Sequence, residues 1–254
     1  FIIVENSLKA LQQTAIGYRK QFDFPFVGIT GSNGKTIVKE WLNFLLSPNH
    51  LIVRNPKSYN SQVGVPLSIL AIEGNYDFGI FEAGISLPNE MSNLEHIIQP
   101  KYGILTNIGS VHDEGFANRE AKIKEKIKLF ENCSNIFLEK NAEIEALLPE
   151  NSQKHTWSFS DESANLFVSK KNENGKTELS FKNATKTFSI TIPFSDENSI
   201  ENVITCVNFM LFLGEETAFI QHRVSELYSV ELRLQAKKGI NNCLVIDDSY
   251  SVDY

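Results

Sequence analysis

Residues 30–36, Thr-Gly-Ser-Asn-Gly-Lys-Thr, combine two glycines, a lysine and three hydroxyls at the end of an apolar run. These residue types in this order build a phosphate cradle. Gly31 and Gly34 let the backbone turn tightly and present amide N–H groups, with Ser32 and Asn33 between them, to an anion. Lys35 adds a mobile positive charge and Thr36 offers a hydroxyl to Mg²⁺. A helix starting near Lys35 aims its N-terminal dipole at the same point. The spacing departs from the standard Walker pattern, because Ile29 occupies the first glycine's position and Gly28 lies one residue earlier.

Other chemistry-bearing residues fall where apolar runs end. Glu82 closes "FGIFE", at the strand edge where parallel sheets collect ligands; by position alone it reads as a ligand or as a solvated turn glutamate. Asn107 closes "YGILTN", and His112 follows in the loop as a ligand or a bystander. In "REAKIKEKIKLF", setting about 100° per residue puts Ile123, Ile127 and Phe130 on one stripe, with Lys126 roughly 40° from Phe130 and Lys124 well away. Lys126 therefore reads either as a lysine snorkelling from the core's edge or as a functional amine.

The elements needed to hold these groups follow from periodicity. Asn6 and Ser7 can cap a first helix that leads into the main domain near Asp23. Strands are expected at 26–30, 51–54, 78–83, 102–107 and 135–139. Helices are expected at 36–46, 65–72, 90–98, 119–130 and 142–148. The alternation predicts an α/β fold, a mostly parallel sheet with helices on both faces. From Asn165 to Ile192 the period falls to two, with turn signals "NENG" and "KNAT", which predicts a small antiparallel meander. Helices at 200–213 and 215–224 and a strand at 243–247 complete the pattern.

Composition narrows the function classes. The 254 residues are 42% hydrophobic and 22% charged, ordinary for a globular core, and the net charge is −7. Without a basic cluster, sequence-independent nucleic-acid binding is disfavoured. The three cysteines, Cys133, Cys206 and Cys243, form no Cys-x-x-Cys pair, which points to a reducing cytoplasm. No apolar stretch has the length of a membrane span. Opening at Phe1 in apolar sequence, the chain is expected to be a piece of a longer polypeptide.

"TGSNGKT" resembles the ATP-binding loop of the Mur ligase superfamily, whose members include peptidoglycan amino-acid ligases and folylpolyglutamate synthetase and carry a shifted Walker loop. "FGIFEAGISLPNEM" is similar to the strand bearing the family's Mg²⁺-binding glutamate, and "YGILTNIGSVHDEGF" to its Asn-Ile…His loop. The resemblance thus implies Thr36, Glu82 and His112 as metal ligands. "EKIKLF" resembles the segment whose lysine reacts with CO₂, implying a carbamylated Lys126 that holds a second Mg²⁺. Lys35, His112 and Lys126 would serve catalysis. "DENSIENVITCVNFMLFLG" resembles the His-Asn-x-x-Asn helix, with Asn202 matching the last asparagine and an adenine contact, while Asn198 and Ser199 replace the first two residues. "VELRLQ" resembles the segment whose arginine reaches the nucleotide, here Arg233 after Leu232. "LVIDDSY" resembles the hinge whose aspartate contacts ribose, Asp248, with Asp247 as the other register. "RNPKSYNSQVGVPLSIL" is similar to the segment beside the acceptor substrate and phosphates, with Asn60 at the matching asparagine, which implies Asn60 and its neighbour Ser61 as substrate residues; Asn60 and Ser61 also read as simple helix caps.

"NIGSVHDEGF" and "IDDSY" resemble the branch that adds D-alanyl-D-alanine to UDP-MurNAc-tripeptide, and "RNPKSYNSQVGVPLSIL" its subgroup fused ahead of an alanine racemase. What this implies is ATP-dependent amide ligation through an acyl phosphate, with two Mg²⁺. Residues 1–22 would be the tail of an N-terminal UDP-binding domain with its linker helix. Residues 23–247 would be the central ATP-binding domain, and 248–254 the start of a hinge. Two alternatives remain: a folate- or cyanophycin-type ligase of the same superfamily, and a nucleotide-binding fragment without turnover of its own.

Overall fold

The computed structural model describes residues 2–109, 118–173, 175–228, 235–238, 240 and 243–247. Its organising strand is β1 (Phe26–Thr30), buried along its whole length. The chain then runs α2 (Lys35–Leu46), β2 (Ile52–Arg54), α3 (Gly64–Leu70), β3 (Phe78–Glu82), α4 (Glu90–Ile98) and β4 (Tyr102–Leu105). Next come α5 (Arg119–Ile127), β5 (Asn135–Glu139), α6 (Ala142–Glu145), β6 (Gln153–Ser158), β7 (Leu166–Glu173), β8 (Lys176–Lys182) and β9 (Thr187–Ile192). Helices α7 (Glu197–Phe212) and α8 (Thr217–Ser225) precede a separate antiparallel pair, β10 (Gln235–Lys238) and β11 (Leu244–Asp247).

One nine-stranded sheet has the order β2-β3-β1-β4-β5-β6-β7-β8-β9, parallel through β7 and antiparallel across β7-β8-β9. The passage from β3 to β4 crosses β1, so the topological switch point lies at the carboxyl end of β1, where open α/β sheets bind ligands. Register aligns the strand ends there: Ile29 lies opposite Glu82, and Thr30 opposite Leu105.

Two apolar layers cover the sheet. On one face α2, α7 and α8 contribute Val38, Leu42, Val203, Val207 and Val224 to a core that includes Phe137, Trp157 and Phe181. On the other, α3, α4 and α5 bury Ile69, Leu94 and Ile123 with Phe26 and Phe81. Helix α1 (Ser7–Arg19), capped by Asn6, packs on this second layer through Ala15. Its Arg19 guanidinium donates to the Ile98 carbonyl at 2.9 Å and stacks over Phe26, 3.7 Å from the ring centroid. Burial draws the Arg19 pKa down to about 10. No helix among the described residues is long and apolar enough to cross a membrane.

The expected elements are present, with four differences. Strand β6 is one that periodicity does not reveal. The helix expected at 142–148 ends at Glu145, ahead of Pro149, and that at 119–130 closes as a 3₁₀ turn over Lys128–Phe130. The terminal hairpin contains a strand, β10, beyond the expected one at 243–247.

Candidate nucleotide and metal site

The loop after β1 is held by the end of β4. The Ser32 amide donates to the Asn107 carbonyl at 2.7 Å, the Asn33 amide to Asn107 Oδ1 at 3.0 Å, and the Thr106 hydroxyl to the Asn33 carbonyl at 2.5 Å. These bonds engage the backbone amides of Ser32 and Asn33 with Asn107 and fix the loop against the end of β4. The first intrahelical bond runs from the Val38 amide to the Gly34 carbonyl, so the preceding amides point out of the helix end.

Two glycines make this turn possible. Gly34 has φ +81°, and a Cβ there would fall 2.3 Å from Asn202 Oδ1. Gly31 has φ +150°, and a Cβ there would lie 2.0 Å from Thr106 Oγ1 and 2.9 Å from the Asn107 carbonyl oxygen. Gly31→Ala is therefore expected to cost about 1–3 kcal/mol of stability and to weaken nucleotide binding with it. Urea unfolding and a nucleotide titration check both.

Two amines converge on this loop. Lys35 Nζ donates to the carbonyls of Gly31 at 2.9 Å and Ser32 at 2.7 Å. Lys126 Nζ, on a side chain only 4% exposed, donates to the same Gly31 carbonyl at 3.0 Å. The two nitrogens are thus at most 5.9 Å apart, the sum of their bonds to that oxygen. Lys124 instead faces solvent and pairs with Glu120 at 2.6 Å.

Glu82, fully buried, reaches the same region through the segment 55–60. Asn60 Nδ2 donates to Glu82 Oε1 at 3.2 Å, the Asn55 amide group brackets the Glu82 backbone, and the Ser58 hydroxyl lies 3.2 Å from that of Thr36. Thr36 and Glu82 are thereby tied to one loop. Ser61 caps the start of α3, accepting from the Gly64 amide at 3.1 Å. A threonine hydroxyl and one buried carboxylate, completed by phosphate oxygens and water, make an oxygen donor set that suits Mg²⁺. Among the described residues no three His, Cys, Asp or Glu side chains gather. An ammonium at Lys126 cannot ligate a cation, whereas its carbamate could.

Beside the loop lies a cleft of about 260 Å³, lined by Thr106, Asn107, Glu139, Asn141, Asn198 and Glu201. Burial raises the carboxyl pKa of both glutamates, and at Glu201 the Glu139 charge adds to it. Asn202, one residue on, faces the phosphate loop at Gly34.

His112, Arg233 and Asp248 lie outside the described residues, and at Asp247 only the backbone, paired with Gln235, is described. Asn107, at the end of its apolar run, anchors the phosphate loop. Two residues of the site carry no clear sequence signal of their role. Asn55 is fully buried beneath Glu82. Lys39 is fully buried on α2, donating to the carbonyls of Asn55 at 2.8 Å and Lys57, with Glu40 Oε1 at 3.2 Å. Burial lowers its pKa, opposed by the charges of Glu82 and Glu40. Its sequence signal was a lysine on the same helical face as Leu42 and Leu46.

The model of the Mur ligase middle domain matches residues 29–210. A UDP-N-acetylmuramoyl-tripeptide–D-alanyl-D-alanine ligase from Borreliella burgdorferi is 32% identical over 269 residues, covering 99% of this chain and 54% of that protein. MurF from Acinetobacter baumannii superposes with a TM-score of 0.88 at 22% identity, over 99% of this chain and 56% of that one. MurF ligase from Thermotoga maritima, in complex with ADP, gives 0.86 at 24% identity, over 99% and 59%. The chain therefore spans just over half the length of these relatives.

Proposed function

We propose, for a chain that belongs to the Mur ligase family, that it is the ATP-binding core of the ligase adding D-alanyl-D-alanine to UDP-MurNAc-tripeptide in peptidoglycan synthesis. The convergence of Lys35, Lys126 and the Glu82-bearing segment on one phosphate loop is the observation that carries this reading. The relatives' names supply the substrates.

The loop and the α2 dipole bind the triphosphate, and Lys35 follows the charge of the transferring phosphoryl group. The cleft beside the loop takes the uncharged base, and the phosphates take the loop. Asn202 lies at the junction between the two; Arg233 and Asp248 would complete the nucleotide contacts. The γ-phosphoryl passes to the terminal carboxylate of the tripeptide, held near Asn60 and Ser61. The amine of D-alanyl-D-alanine then attacks the acyl phosphate, releasing phosphate and forming the amide. Mg²⁺, when bound, neutralises charge during transfer; Thr36, Glu82 and His112 would hold it, and a carbamate on Lys126 would hold a second ion. That carbamate would also pair with the Lys35 ammonium, whose nitrogen is already near. Buried thiols at Cys133 and Cys206, unpaired in the structure, support a reducing cytoplasm as its place.

The test is phosphate release from ATP by the full-length protein against a panel of acceptors. Release that requires both the muramoyl tripeptide and D-alanyl-D-alanine is expected. Release driven by folate and glutamate instead would replace this reading with another branch of the family.

A further inference from the structure

We infer that Lys39 is a positioning residue for metal binding: it clamps the 55–60 segment so that Thr36 and Glu82 are held to a common site. The inference rests on the ligase reading above.

Lys39 lies one helical turn beyond Lys35 on α2, but on the buried side, with no exposed surface. A buried ammonium is tolerated only when its hydrogens are satisfied. Its partners here are the carbonyls of Asn55 and Lys57, with the Glu40 carboxylate alongside. Both carbonyls belong to the segment that carries Asn55, Ser58 and Asn60.

That segment is held under strain. Lys57 has φ +48°, a left-handed conformation that a non-glycine residue keeps only where its surroundings over-determine it. The Lys39 bond to the Lys57 carbonyl is one such constraint. From this anchor the segment makes five contacts with the site. Asn55 Oδ1 accepts from the Glu82 amide at 3.0 Å, and Asn55 Nδ2 donates to the Glu82 carbonyl at 3.1 Å. Asn60 Nδ2 donates to the Glu82 carboxylate, and the Asn60 carbonyl accepts from the Gly84 amide at 2.9 Å. On the other side Ser58 meets Thr36. Removing the ammonium leaves the two inward carbonyls of Asn55 and Lys57 without this donor, while Glu40 keeps its bond from Arg54 Nε at 3.0 Å. The segment then relaxes, and the two oxygen ligands lose their common support.

The experiment is Mn²⁺ binding, read by EPR with ADP present, for the wild-type chain and Lys39→Met, alongside ADP affinity in EDTA and melting temperature. Groups that orient metal ligands typically contribute about 10- to 100-fold in metal affinity. Lys39→Met should weaken Mn²⁺ by that factor while ADP affinity in EDTA stays within about twofold. A lower melting temperature with unchanged Mn²⁺ affinity overturns the inference, because that is what a purely structural lysine gives. Should Lys39→Met fail to fold, Lys39→Gln, which keeps a donor in the buried position but is too short and too poor in hydrogens to serve both carbonyls, takes its place. Weakened Mn²⁺ binding there supports the inference and unchanged binding overturns it. A wild-type chain that binds neither ADP nor Mn²⁺–ADP sinks the ligase reading and this inference together.

Discussion

Lys35→Ala is expected to lower ATP turnover by the full-length protein by about 100- to 1000-fold, the usual cost of removing one preorganised charged donor from a developing anion. Lys35 already spans the loop, bonded to the carbonyls of Gly31 and Ser32. A triphosphate would offer its ammonium a stronger, charge-assisted partner. Alanine keeps α2 intact, since it is the best helix former, so the fold should survive while nucleotide affinity drops. Isothermal titration with ATP and a phosphate-release assay measure the two effects separately. Unchanged affinity and turnover in a folded variant would remove the phosphate loop from the mechanism.

Glu82→Gln carries the second large effect. The amide is isosteric with the carboxylate but contributes no negative charge to a cation. Direct ligation should matter more than the orienting contacts, whose loss costs about 10- to 100-fold, so the Mg²⁺ needed for half-maximal turnover should rise by at least about 100-fold. Chelation by EDTA should abolish wild-type turnover altogether. The substitution takes a charge out of a fully buried position, and a neutral amide costs less to bury than a carboxylate. Folding should persist, as circular dichroism would show. A Glu82→Gln protein with the wild-type Mg²⁺ dependence would dissociate this carboxylate from the metal.

How far the site could be read in advance varied with the range of the interactions that build it. The β1–loop–α2 unit was legible because its signals are local: an apolar run, glycines at a turn, then buried residues at helical spacing. Both ends of β1 and the start of α4 fall where the periodicity put them. The helical setting of Lys126 relative to Lys124 also came from one element, and the structure puts Lys126 on the loop and Lys124 in solvent.

What failed to show depends on partners distant in sequence. "QKHTWS" carries no apolar alternation, yet it becomes β6 because β5 and β7 offer it backbone ladders on both sides. Lys39 looks out of place on an apolar helical face until the carbonyls of residues 16 and 18 positions later close over it. Nothing near Ser32 and Asn33 announces that Asn107, more than seventy residues on, accepts from both their amides. Residue type announced the chemistry; only the topological switch at β1 decided which strand ends would meet.

The most direct measurement is a crystal of the full-length protein with a non-hydrolysable ATP analogue and Mn²⁺, using anomalous scattering to find the metal. The expected result places the β- and γ-phosphates against the amides at the start of α2, with an anomalous peak bound by Thr36 Oγ1 and the Glu82 carboxylate. A nucleotide bound elsewhere, or a peak with neither oxygen in its coordination sphere, would contradict the claim that this loop holds a triphosphate over metal at the sheet's edge.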